Sequence, residues 1–167
     1  MCEAATKANV NLKQAEVHGM SQRGGDVQSN LRLSTEQIWS DLIPLGACDL
    51  IISMEPMEAL RYLPYLSKDG VIVTSNKHFI NIPNYPEQEA LFAELGRLPH
   101  VVQLDIEQVA KDAGNARGAN VVLLGMAAKY IEIVTPEQLR TAIATIFARK
   151  GEAIVEANLK AFDAANK

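Results

Sequence analysis

Residues able to do chemistry crowd into one short run, EVHGMSQRGG, from Glu16 to Gly25. Glu16 and His18 lie two apart, so on a strand they project to the same side. A carboxylate beside an imidazole fixes its tautomer and raises its pKa, which suits general acid–base work. The other reading of His18 is a strand-end residue that bonds a loop carbonyl. Arg23 precedes Gly24 and Gly25. Its guanidinium can fork onto phosphate or carboxylate while glycine lets backbone N–H groups approach the same anion. Equally, Arg23 can brace the glycine turn or pair with another chain. Met20 suits a flat, apolar ligand or a gap in a core or interface. Ser21 has no Gly-x-Ser-x-Gly elbow around it and reads as a hydrogen-bonding loop residue rather than a nucleophile.

Two further groups carry chemistry of a similar kind. Glu55 and Glu58 directly follow the apolar run DLIISM. In GNARGANVV, residues Asn115, Arg117 and Asn120 surround a predicted helix start, a natural place for an anion, although capping explains Asn115 equally well.

The elements that must position these residues follow from periodicity and punctuation. Apolar residues at 1, 2, 4, 5 and 8 predict a helix over Met1–Ala8. Asn11–Val17 reads as a strand entering the His18–Gly25 loop. From Val27, the alternation of Val27, Ser29, Leu31 and Leu33 against Gln28, Asn30 and Arg32 predicts a second strand with one apolar and one polar face. Together they make a hairpin-like excursion. CDLIISM, Cys48 to Met54, is a nearly continuous apolar run of the kind buried on both faces of a parallel sheet. Pro56 suits the first turn of the helix that follows. Lys68-Asp69-Gly70 signals a turn before the strand VIVTSN. A helix over Glu89–Leu98, a strand HVVQLDI and a short helix ended by Gly114 come next, and three apolar-striped helices complete the chain.

Strands alternating with helices at this spacing predict α/β architecture: a mostly parallel, Rossmann-like, three-layer arrangement with helices on both sheet faces. In open α/β sheets ligands bind beyond the carboxyl ends of the strands. That rule would gather the loops His18–Gly25, Glu55–Glu58 and the TSNKH region into one crevice, bringing His18, Arg23, Glu55, Glu58 and Asn76 together.

Composition narrows the function classes. With 167 residues, one domain with a proper core is expected. A net charge of −4, with no basic run, argues against nonspecific binding to nucleic acid or an anionic membrane surface. The apolar runs are too short to span a bilayer and no secretory leader is evident, so a cytoplasmic protein is expected. Cys2 and Cys48 are isolated thiols, short of the four thiolates an iron–sulfur cluster needs, and His18, His78 and His100 lack the spacing of metal ligands. No metal or cofactor is expected on this chain.

Four motifs in order, KQAEVHGMSQRGGDVQSNLRLS, DLIISMEPMEALRYLPYL, NIPNYP and GNARGANVVLLG, followed by the VEANLKAF tail, resemble the small subunit of indolepyruvate:ferredoxin oxidoreductase. More broadly they are similar to the gamma subunit or domain of the 2-oxoacid:ferredoxin oxidoreductases. The resemblance covers nearly the whole chain. It implies a single gamma-type domain over residues 1–167, within a complex that decarboxylates a 2-oxoacid, indolepyruvate or another aryl pyruvate. The acyl group passes to coenzyme A as co-substrate and electrons pass to ferredoxin. Thiamine diphosphate and iron–sulfur clusters are implied on a larger partner subunit, and this chain alone would be inactive. Glu16, His18 and Arg23 become the candidate catalytic residues. Met20, Ser21, Gln22, Gly24, Gly25, Glu55, Glu58, Asn115, Arg117 and Asn120 become candidates for the coenzyme A side or the subunit interface. Members of the family open with a strand and a Gly-rich loop that this sequence lacks, so an N-terminally truncated domain is the expectation. A noncatalytic docking subunit, or the gamma subunit of a pyruvate or 2-oxoglutarate enzyme, are the alternatives.

Overall fold

A computed structural model describes residues 1–18, 27–80 and 82–166, with His18 described through its backbone only. Three parallel strands form the centre in the order β3–β4–β5: β3 spans Cys48–Ser53, β4 Leu66–Ser75 and β5 Val101–Leu104. Successive side chains of β4 point to opposite faces, and each face meets its own helices. Val73 enters a large core with the helices α1 (Cys2–Lys7), α4 (Ile106–Asp112), α5 (Ala119–Ala127), α6 (Pro136–Phe147) and α7 (Glu152–Ala165). Ile72 enters a smaller core with Ile51 and Ala59, the latter on α2 (Pro56–Arg61). Helix α3 (Gln88–Gly96) buries Leu91 and Leu95 and packs beside α2. This is the expected α/β sandwich with helices on both faces.

Local signals start and stop several of these helices. Pro56 sits in the first turn of α2, as expected, and Thr135 and Gln138 form a reciprocal capping box at α6. Gly114, at φ 78°, ends α4: its N–H reaches the Lys111 carbonyl and the Asn115 N–H reaches Ala110, a left-handed stop of the Schellman type.

β1 (Asn11–His18) and β2 (Val27–Ser34) pair antiparallel, the expected hairpin, but as a two-stranded ribbon separate from the parallel sheet. Leu12 and Leu33, at its base, pack on the large core, while Val17 and Val27, toward its tip, are exposed. The ribbon therefore departs from the expected apolar and polar faces. Asn30, on the nominally polar face, is the buried residue of β2, because its Oδ1 accepts the Ile43 N–H at 3.3 Å and ties down the segment before β3. A buried amide is tolerated when its partner is supplied.

The turn expected at Lys68–Gly70 is absent as well. β4 runs through it from Leu66, and the pairing shifts register between Cys48 and Leu50 to absorb the extra residues. Gly70 makes this irregularity feasible, since a Cβ there would stand 2.8 Å from the Cys48 carbonyl oxygen.

Candidate functional site

At the carboxyl edge of the parallel sheet, each strand delivers a polar group to the same rim. Glu55 follows β3, Lys77 and His78 follow β4, and Asp105 follows β5. Asp105 caps α4, its Oδ1 accepting the Gln108 N–H at 3.0 Å, and Lys77 Nζ lies 3.8 Å from its other oxygen. Glu55 caps α2: its Oε2 accepts the Glu58 N–H at 3.0 Å. Both rim carboxylates thus satisfy helix N-termini, where a negative charge is favoured by the unpaired N–H groups.

Glu55 does more than cap. Its Oε1 accepts the Tyr85 hydroxyl and, at 3.5 Å, the Phe79 N–H, both from the connection between β4 and α3. The His78 ring stands 5.7 Å from the Tyr85 ring. Burial first, then the hydrogen bond and negative charge of Glu55, push the Tyr85 phenol well above its ordinary value, so it stays protonated as a donor. Glu58, half-buried on the next turn, lies 3.4 Å from Arg61. Met54, Phe79 and Ile80 are exposed along the same edge. The expected approach of Glu55 and Glu58 to the region after β4 is therefore present. Sequence reasoning passed over Tyr85 and Asp105. Only Asp105 had a local signal, an acid three residues before Gln108 at a helix start.

Of the other expected members, some lie outside the described residues and the rest fall elsewhere. β1 belongs to the ribbon and not to the parallel sheet, so the rule about parallel-sheet edges does not apply to it. Met20, Ser21, Gln22, Arg23, Gly24 and Gly25, and the side chain of His18, lie outside the described residues. Glu16 is exposed on the ribbon, accepting from Gln14 Nε2 at 2.8 Å. Asn115 does not cap α5, whose N-cap is Gly118 without a side-chain bond. Its Nδ2 instead donates to Oδ1 of the buried Asn158 on α7 at 3.1 Å. A Cβ on Gly118 would collide with the Asn115 side chain, which explains a glycine at the cap. Arg117 and Asn120 are exposed around the start of α5. Among the described residues, no group of His, Cys, Asp and Glu could hold a metal, and no helix is long and apolar enough to cross a membrane.

The family model for pyruvate ferredoxin/flavodoxin oxidoreductases matches residues 1–167. The chain belongs to this family. Within it, the chain is 34% identical to "Indolepyruvate oxidoreductase subunit IorB" of Archaeoglobus fulgidus, over 96% of the chain and 82% of that protein. It is 33% identical to the protein of the same name from Pyrococcus horikoshii, again over 96% and 82%. Among solved structures, the gamma subunit of keto/oxoacid ferredoxin oxidoreductase from Geobacter sulfurreducens shares the fold, with TM-score 0.67, 22% identity, and coverage of 98% of this chain and 83% of that one. Pyruvate oxidoreductase subunit PORC from Thermotoga maritima does so with TM-score 0.71 and 17% identity, over 98% and 83%. The expected family and fold of this pyruvate ferredoxin/flavodoxin oxidoreductase member are both borne out.

Proposed function

We propose that this chain is the small subunit of a 2-oxoacid:ferredoxin oxidoreductase of the indolepyruvate type. The complex oxidatively decarboxylates an aryl pyruvate, transfers the acyl group to coenzyme A and passes two electrons to ferredoxin in the cytoplasm. The observation that carries this is the 34% identity to an indolepyruvate oxidoreductase subunit across 96% of the chain. The two cysteines fall short of a cluster's ligands, which supports iron–sulfur clusters on a larger partner; thiamine diphosphate belongs on this reading to the same partner, and this chain alone does not turn over. On this reading Glu16, His18 and Arg23, with the run through Gly25, serve the coenzyme A and substrate side or the subunit interface. Glu55 and Glu58 hold the rim of the sheet.

The test is anaerobic affinity purification of the tagged chain from its own cells. A stoichiometric larger subunit, cluster absorbance and ferredoxin reduction that requires both coenzyme A and indolepyruvate are expected. Reduction with pyruvate or 2-oxoglutarate but not indolepyruvate would reassign the substrate. Absence of any such partner would defeat the subunit reading.

A specific observation favours keeping a purely assembling role as the second reading. The segment between β2 and β3 displays Trp39 (82% exposed), Leu42 and Leu45, although Arg32 Nη1 pins it through the carbonyls of Ser40 and Leu42 at 3.1 and 3.3 Å. Tryptophans of this kind serve as interface anchors. If W39A removes the larger subunit from the purified complex while H18A and R23A leave turnover intact, assembly is the chain's whole contribution.

A further inference from the structure

The connection between β4 and α3 is held by a small number of polar bonds. None of its described side chains, over residues 76–80 and 82–87, belongs to either hydrophobic core. Phe79 and Ile80 point outward, 69% and 66% exposed. Its first residues are tied to β5 and its sequel: the Asn76 N–H reaches the Leu104 carbonyl at 3.0 Å, and Lys77 faces Asp105. Between Lys77 and the N-cap of α3 at Glu87, the hydrogen bonds among the described residues lead to one carboxylate. Glu55 receives the Phe79 N–H and the Tyr85 hydroxyl on the same oxygen, Oε1, while Oε2 stays on the cap of α2. His78, between Lys77 and Phe79, rests against the Tyr85 ring. One side chain thus grips the connection at two points.

We propose that Glu55 and Tyr85 form a latch that holds this connection, with Phe79 and Ile80, at the carboxyl edge of the parallel sheet, and that opening the latch frees the connection while the sheet and the helical core stay folded. A segment with few buried apolar contacts, here only the half-buried Ile82 and Tyr85 beside the exposed Phe79 and Ile80, opens locally at a free energy below that of global unfolding. Its protection then depends on the few polar bonds that close it. The carboxylate acceptor makes the phenol bond stronger than a neutral one. Tyr85 is on this account a positioning residue, acting through Glu55 on where the exposed pair Phe79–Ile80 stands.

Amide hydrogen exchange on the full chain tests this, comparing the unsubstituted protein with Y85F, E55Q, E55A and the double variant E55A/Y85F. Exchange at Phe79, whose N–H is held by Glu55, should rise about tenfold in Y85F, equivalent to about 1.4 kcal/mol of latch closure. E55Q retains an acceptor for the phenol and should rise less than E55A. Since the two partners share one interaction, the double variant should exchange no faster here than the faster single variant. β4 and α5–α7 should keep their protection throughout. The proposal fails if Y85F leaves exchange in the connection unchanged, or if its effect spreads equally over β4 and α5–α7. It also fails if E55A and Y85F multiply in the double variant. Each of these readouts is made on the chain itself, so the result stands apart from whether the complex acts on indolepyruvate.

Discussion

Gly125 of α5 stands so close to Phe162 of α7 that a Cβ built on it would lie 2.3 Å from the Phe162 carbonyl oxygen. The two helices carry much of the large core, and Phe162 is fully buried in it. Helix propensity alone would reward alanine at Gly125 by about 1 kcal/mol. The obstacle is backbone, which cannot rotate aside, and overpacking of this kind costs about 1–3 kcal/mol. G125A should therefore lower stability on balance, reducing Tm by a few degrees in a thermal melt. Gly96 is the control: it ends α3, and a Cβ placed there would meet nothing within 4 Å, so G96A should hold or slightly raise Tm.

Asn158 supplies a second structural prediction. It is buried on α7, donating to the Ile154 carbonyl at 2.7 Å and accepting from Asn115 at 3.1 Å. N158A strands the half-buried Asn115 amide, and an unsatisfied group of this kind costs about 1–3 kcal/mol. Urea denaturation should show a lower midpoint with an unchanged slope. Because the residues share one bond, N115A/N158A should cost less than the sum of the single variants. Additive losses would mean that the bond contributes nothing.

These two sites show what the sequence makes legible and what it hides. Signals that act within one element read well: the apolar run of β3, Pro56 opening α2, and Gly114 stopping α4. Asn115 and Asn158 are 43 positions apart, and nothing local tells a helix-capping asparagine from one that bonds a distant helix. Tyr85 and Glu55 are hidden for the same reason, being 30 positions apart. In β2, periodicity placed Asn30 on the wet face, and its bond to Ile43 overrides that pattern. The Lys68–Gly70 stretch looks like a turn because its residues are turn formers. Pairing with β3 holds it in the strand instead, with a register shift as the consequence.

The Tyr85 phenol gives a prediction in pH. Its folded pKa is raised above the unfolded value of about 10. Below that unfolded value the phenol is neutral in both states and its contribution to stability is fully present. As pH rises past the unfolded value, ionisation favours the unfolded chain, and the contribution disappears as pH climbs through the folded value. When phenolate absorbance is followed on the folded protein, Tyr85 should ionise above the ordinary phenol range. Y85F should remove that late step and make stability less sensitive to pH above about 10. An early step lost in Y85F would show that the hydroxyl is not engaged with Glu55.

Arg23 decides between the two readings of the loop after β1. If its guanidinium meets the anionic part of coenzyme A or the oxoacid carboxylate, R23A removes a charge-assisted contact worth about 1.5–3 kcal/mol. In the assembled complex this should appear as roughly a tenfold to hundredfold fall in kcat/KM, with R23K recovering only part because a lysine cannot reproduce the planar fork. Subunit stoichiometry by gel filtration should stay unchanged. H18A should lower kcat with little change in KM if the imidazole moves a proton during turnover, and should alter the pH profile of kcat. Should both variants instead weaken assembly and leave the turnover of the remaining complex unaltered, the loop is a docking element. Glu16, His18 and Arg23 would then be contacts to the larger subunit rather than to substrate.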